Sequence, residues 1–480
     1  MNTALAQADH AVEALRAERR DEYYPQFHLV PPAGWINDPN GLICIDGVYH
    51  AFFQHHPYSE HWGPMHWGHA TSRDLIRWQH QPIALAPDAP YDKDGCFSGC
   101  AVDDNGVLTL IYTGHVWLGE PGDDSQVREV QCLATSEDGI RFVKHGPVLA
   151  PPDGIQHFRD PKVWRENGEW WLVVGAKENG LGQVRLYRSA DLRAWRFDRV
   201  LAGALAAHQG YMWECPDFFP LGEQHLLLFS PQGLAAQGYR YRNRFQSGYL
   251  LGHWRPDSDF RVTQPFCELD AGHDFYAPQT FTAADGRRLL FAWMDMWESP
   301  MPSKAHRWAG ALTLPRELTL AADGSVRMNP ARELAALRRE SHTFLAQTLT
   351  NQHLPLADDV QELTLTLRPA DNDAERYGLA IGNGARLFVD NQAHRLVLER
   401  FHDNPALCTC RSVPLPEGDT LSLQIFIDRS SLEIFVNQGQ ACLTSRIYPT
   451  AGERHLSLFA EGGRAQFEPI TGWRLASIWG

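Results

Sequence analysis

Three carboxylates stand just ahead of prolines in this chain: Asp38 in "WINDPNG" (35–41), Asp160 in "RDP" (159–161) and Glu214 in "ECP" (214–216). Taken singly, each reads as a turn residue or a solvated acid, because Asp followed by Pro and then Gly suits a type I turn. Gathered in one cleft they would repel one another, a cost that proteins tolerate mainly for function. Glycoside cleavage uses such a group: one carboxylate attacks the anomeric carbon while another protonates the leaving oxygen. The neighbours divide the labour. Glu214 lies in "MWECPDFF" (212–219), surroundings expected to desolvate it and suit it to the acid's role. Arg159, next to Asp160, is expected to keep one carboxylate ionised or to hold hydroxyls, and the amides of Asn37 and Asn40 to orient Asp38 as a nucleophile.

A repeat must bring these residues together. A polar residue followed by a strand, a turn and a second strand recurs at Asp38, Ser98, Asp160, Glu214 and Asp274, every 54 to 62 residues. That period fits the four-stranded blade of a β-propeller, whose first strands line a central channel, so residues at equal phase meet at one mouth. Five blades account for residues 25–330. Tandem domains are a competing reading, and a β-helix would need a much shorter period. "HATSRDLIRW" (69–78), "LATSEDGIRF" (133–142) and "LYRSADLRAW" (186–195) read as one hairpin used three times. Residues 1–24 are expected to form a short amphipathic helical extension. Leu334 and Leu337 place a linker helix at 331–342. The alternating strands of 343–480 point to a β-sandwich, which either packs on the propeller or supports a homodimer. The fold class is therefore all-β.

Composition narrows the function. Hydrophobic residues are 44% and charged residues 21%, as in globular enzymes and binding proteins. The formal charge of −15 disfavours nucleic acid and anionic membrane surfaces. The 16 Trp and 22 His favour a ligand with flat apolar faces and hydroxyl rims, as sugars have. Nine Cys at irregular spacing, with no Cys-x-x-Cys pair and no export signal ahead of them, read as free thiols in a cytoplasmic protein. "HHPYSEHWGPMHWGH" (55–69) lacks metal-ligand spacing and is broken by Pro and Gly; it reads as an aromatic, hydrogen-bonding rim, and neither metal nor cofactor is expected. "YRYRNRF" (239–245) is either a solvated strand face or, through Arg242 and Arg244, a phosphate contact.

With "FSG" (97–99), "DFYAPQ" (274–279), "WAGALTLPREL" (308–318) and "DRSSLEIFVN" (428–437) added, the ordered motifs resemble glycoside hydrolase family 32, the β-fructofuranosidases or invertases. "HFRDPKVW" and "WGPMHWGHATS" look most like its bacterial intracellular sucrose or sucrose-6-phosphate hydrolases. The resemblance implies a five-bladed propeller followed by a β-sandwich. It implies Asp38 as nucleophile, Glu214 as acid/base and Asp160 as transition-state stabiliser. It also implies a fructose pocket lined by Asn37, Gln54, Trp62, Phe97, Ser98, Arg159, Tyr276 and Trp293. Retaining hydrolysis of sucrose is the expected activity. Sucrose-6-phosphate hydrolysis, fructosyl transfer and a non-catalytic sugar-binding propeller are the alternatives.

Overall fold

The computed structural model describes residues 3–356, 361–416, 418, 420–450 and 452–479. Residues 1–2 of the expected extension and 357–360, 417, 419, 451 and 480 of the expected sandwich lie outside them. The chain is a five-bladed β-propeller followed by a β-sandwich. Each blade is a sheet laid down in chain order from the centre outward, beginning with Gly34–Ile45, Gly95–Asp104, Phe158–Glu166, Met212–Leu221 and Tyr276–Thr282. A two-residue strand, Trp308–Ala309, pairs in parallel with Gly34 and Trp35 and closes the ring of blades on the first.

All five inner strands break register at the same place. The ladder with the second strand skips between Ile36 and Pro39, Phe97 and Gly99, Glu214 and Asp217, and Tyr276 and Gln279, and on Phe158–Glu166 between Arg159 and Lys162. Three of the skips hold a proline and a fourth ends on Pro39, and proline cannot donate to a ladder. Such a bulge leaves its residues unpaired and re-aims their side chains. Asp160, Cys215 and Ala277 sit in these bulges in the left-handed region, with φ of 67°, 49° and 50°. In blade II a glycine replaces proline, because a Cβ on Gly99 would lie 2.1 Å from the Ile111 carbonyl oxygen. The residues in phase are thus Asp38, Ser98, Asp160, Cys215 and Ala277. Glu214 stands one residue earlier, in phase with Asn37, Phe97, Arg159 and Tyr276, and Asp274 stands outside the bulge altogether. The repeated hairpin is also visible: Asp74, Asp138 and Asp191 each accept from the preceding Ser72, Ser136 or Ser189 and from two backbone N–H groups just ahead. It joins the third and fourth strands of blades I to III.

The helix Thr3–Glu18 packs Ala8 and Val12 on Ile83 of blade I. The expected linker helix at 331–342 is replaced by a 3-10 turn, Arg332–Leu337, and a strand, Arg338–Phe344. A 3-10 turn eclipses residues three apart, so it buries Leu334 and Leu337 together as an α-helix would. The sandwich consists of two six-stranded sheets around one aliphatic core. Asp274 belongs to its seam with the propeller, where it accepts from Arg400 and from the Arg446 N–H.

That seam is charged and buried. His28 lies between Asp428 and Glu433, 2.8 Å from each, and Arg316, fully buried, bonds Glu433 and Asp270. Burial alone would pull His28 down, but its two carboxylates push it up to about 9. Burial would raise Glu433, but Arg316 and then His28 hold it at about 2. His28 therefore contributes stability that is full below its ordinary 6.5 and lost as pH rises through 9; Glu433 contributes stability that is full above 4.5 and lost as pH falls through 2. The thermal midpoint should plateau between these ordinary values and fall on both sides. Glu433→Gln should lower stability in urea by about 3 kcal/mol, because it leaves buried cations under-compensated. An unchanged urea midpoint would show that the seam does not hold the two domains together.

Candidate active site

Of the bulged residues, Asp38, Ser98 and Asp160 converge on a cavity of about 320 Å³ at the mouth of the channel. Asp38, Asp160 and Glu214 all line it. Asp38 is held as an acceptor: Ser98 Oγ donates to one carboxylate oxygen at 2.6 Å and Asn37 Nδ2 to the other at 3.0 Å. Asn37 is itself fixed by the Trp35 indole N–H, 2.8 Å from its Oδ1. Asn40 acts one step back, since its amide, oriented to satisfy its neighbours, donates to Ser98 Oγ and accepts from Gln54. Burial, and then the charge of Glu214, raise the Asp38 carboxyl above the usual range, while Ser98 opposes the rise.

Asp160 is positioned through its backbone. Its N–H donates to Thr113 Oγ1, which donates to Gln131, whose amide donates to the Phe158 carbonyl. Its carboxylate accepts from the Cys215 N–H at 2.9 Å. The Cys215 thiol lies between the two aspartates, 3.5 Å from Asp38 and 3.6 Å from Asp160. Burial and the surrounding carboxylates push that thiol far up, so it stays an S–H donor. Asp160 itself is pushed up to about 8 by burial and by Glu214.

Arg159 engages carboxylates other than its neighbour in sequence. Its guanidinium turns from Asp160 to Glu214, donating through Nε at 3.0 Å and Nη2 at 2.7 Å. Its Nη1 faces Glu129, whose carboxyl burial would raise but Arg159 holds at about 2. The other Glu214 oxygen accepts from the Tyr276 hydroxyl. The apolar residues flanking Glu214 do not enclose it: Trp213 turns into blade IV and stacks on Phe229, centroids 4.1 Å apart.

Of the expected pocket residues, Asn37, Gln54, Trp62, Phe97, Ser98 and Arg159 line the cavity. Tyr276 reaches it only through Glu214. Trp293 does not reach it; it is wholly buried beneath Trp35 and Trp297, and Trp297 lines the wall instead. The expected histidine rim is mostly interior: His55, His66 and His69 are buried in blade I, and from that stretch Trp62 alone reaches the cavity. Arg242 bonds the Gly238 carbonyl and Arg244 pairs with Glu298, and neither lines the cavity. Sequence reasoning passed over Glu129, His115, Trp117, Asp124 and Gln232. Glu129 had a signal, because it alternates with Gln131 on one face of the strand Val127–Ser136, both buried. His115 stacks on Phe97 with centroids 4.1 Å apart and extends the aromatic wall.

The chain as a whole has close relatives. The description of the glycosyl hydrolases family 32 N-terminal domain matches residues 28–330, and that of the family 32 C-terminal domain matches residues 333–474. A sucrose-6-phosphate hydrolase of Escherichia coli is 58% identical over 98% of this chain and 99% of its own length. A raffinose invertase of Escherichia coli is 56% identical over 99% of this chain and all of its own. Among solved structures, a GH32 β-fructofuranosidase of Bombyx mori, a mutant in complex with sucrose, is similar with a TM-score of 0.87 and 36% identity over 99% of both chains. Similarity extends through propeller and sandwich alike, and the chain belongs to glycosyl hydrolase family 32.

Proposed function

We propose that this protein is a retaining β-fructofuranosidase acting on sucrose, with Asp38 as nucleophile, Glu214 as acid/base and Asp160 as the group that holds fructosyl hydroxyls. The observation that carries the reading is the contrast between Asp38 and Glu214. Among the described residues Asp38 receives neutral donors, Ser98, Asn37 and Cys215, and lines the cavity, whereas Glu214 is held by Arg159 and Tyr276. Asp38 attacks the fructosyl C2 while Glu214 gives its proton to the glycosidic oxygen, and glucose leaves. Glu214 then takes a proton from water, which releases fructose from the ester on Asp38. Asp160, pushed up to about 8, shares its position with the Cys215 N–H and is placed to hydrogen-bond sugar hydroxyls.

A second reading, sucrose-6-phosphate, is favoured by the activities named for the relatives. The cavity lining supports the neutral disaccharide: Asp124 stands in the wall, and Arg159, the one Arg or Lys among the described lining residues, is already engaged by two glutamates. All nine cysteines are free thiols, which agrees with a reducing, cytoplasmic setting. No helix among the described residues is long and apolar enough to cross a membrane.

Sucrose turned over in aqueous methanol should yield methyl β-fructofuranoside by proton NMR; α-product or none would contradict the retained covalent step, and oligofructosides in place of fructose would indicate transfer. Asp38→Asn should cost about four orders of magnitude or more in kcat with the fold intact by circular dichroism. Ser98→Ala removes a donor to ionised Asp38, which raises its pKa further. The acid limb of kcat/KM should therefore move to higher pH; a limb that stays in place would remove Asp38 from the titration. On the neutral-substrate reading, kcat/KM for sucrose exceeds that for sucrose-6-phosphate, and Asp124→Asn narrows the gap. A preference for the phosphorylated sugar reverses the choice.

A further inference from the structure

The largest cavity among those described lies outside the catalytic mouth. It encloses about 820 Å³ between the N-terminal helix, blade I, the sandwich hairpin at Arg429 and the C-terminal Trp479. Its floor is built of rings. His80 stacks on Trp479 with centroids 5.3 Å apart and planes 9° from parallel, and Phe53, Trp78, His55 and His69 complete the surface. Two of these rings carry orphaned polar atoms, His69 Nδ1 and His80 Nε2, both buried without a partner. His69 is 1% exposed, so its ring nitrogen has no alternative in bulk solvent. Burial holds His55 at about 4 and His80 at about 3, so these rings are neutral near pH 7; His55 spends its N–H on a backbone carbonyl and keeps a lone pair on Nε2.

The walls are ionic and balanced. Asp9, Glu13 and Asp21 face Arg16, Arg19 and Arg429. Arg16 pairs with Glu13 and Arg19 with Asp21, while Arg429 bonds the carbonyl oxygen of Asp21. A lining with equal numbers of carboxylates and guanidinium groups has no net pull on an anion or a cation. Paired carboxylates and guanidinium groups above flat rings do suit a ligand with an apolar C–H face and a rim of hydroxyls, each able both to donate and to accept.

We propose that this cavity is a second, non-catalytic binding site for a neutral sugar of one or two rings, roofed by the N-terminal helix. The site also touches the catalytic strands. His55 faces it while Gln54, the preceding residue on the same strand, faces the catalytic cavity. His55 Nδ1 donates to the carbonyl of Trp35, whose indole fixes Asn37 beside Asp38. The proposal rests on the sucrose reading only for its choice of probe.

Crystals of the Asp38→Asn variant soaked with sucrose test it, because the two cavities are read separately. Ordered sugar in contact with His80 and the arginine wall is the expected result, whether or not the catalytic cavity is also filled. Water alone in this cavity, at sucrose concentrations that fill the catalytic one, overturns the inference. Sugar in neither cavity overturns it too, and counts separately against the substrate assigned above. Calorimetric titration of Asp38→Asn with sucrose should then give a stoichiometry of two. Adding His80→Leu, or Arg16→Ala on the exposed helix, should bring it to one, and both substitutions made with Asp38 intact should leave sucrose hydrolysis at low concentration within about twofold. A stoichiometry of one before these substitutions, or of two after both, contradicts the proposal.

Discussion

One guanidinium sets the electrostatics of the catalytic cavity. Asp38, Asp124, Glu129, Asp160 and Glu214 line a space in which Arg159 is the one Arg or Lys among the described lining residues. Arg159 is divided between Glu129 and Glu214, and its Nε and Nη2 converge on one Glu214 oxygen while Tyr276 holds the other. Glu129 is thus held at about 2, and it also accepts from the Phe158 N–H, which ties the strand carrying Arg159 and Asp160 to blade II. The two aspartates receive no cation. Their charges are met by a hydroxyl, an amide, a thiol and a backbone N–H, and both carboxyls rise above their usual range. The site therefore separates four of its five acids by environment: Glu129 kept ionised as scaffold, Glu214 clamped by arginine, and the two aspartates Asp38 and Asp160 left to neutral donors.

The backbone makes this crowding possible. Five inner strands each spend one or two residues on a bulge, and the left-handed conformations at Asp160 and Cys215 cost on the order of 1–3 kcal/mol apiece. Such strain persists where the surrounding sheet over-determines it. Here proline or Gly99 ends the ladder, and the neighbouring blade supplies the missing partner, as Thr113 does for Asp160.

What the sequence revealed follows from this construction. Proline and a roughly 60-residue period are local signals, so the blades and the three carboxylates were legible without coordinates. The offset of Glu214 shows in its proline, two residues on rather than one, but which of the bulged side chains points inward does not. The partners of Arg159 were not legible either: its guanidinium reaches Glu214 and Glu129 on the two neighbouring blades, contacts that no neighbour in sequence encodes. Trp293 and Trp297 differ by a single turn of loop, and only packing decides which reaches the cavity. Leu334 and Leu337 fit an α-helix and a 3-10 turn equally. The charged seam around Arg316, Glu433 and His28 joins residues up to 405 apart in the chain, a separation that no local pattern encodes.

The central claim is that Asp38 forms the bond to fructose while Glu214 moves the proton. Mass spectrometry of the Glu214→Ala variant, mixed with a fructoside whose leaving group needs no protonation and then digested, tests both halves at once. The account predicts one added anhydrofructosyl unit on the peptide carrying Asp38, accumulating because the water-activating carboxylate is gone. An unmodified Asp38 peptide beside continued release of the leaving group, or a label on Asp160, would contradict it.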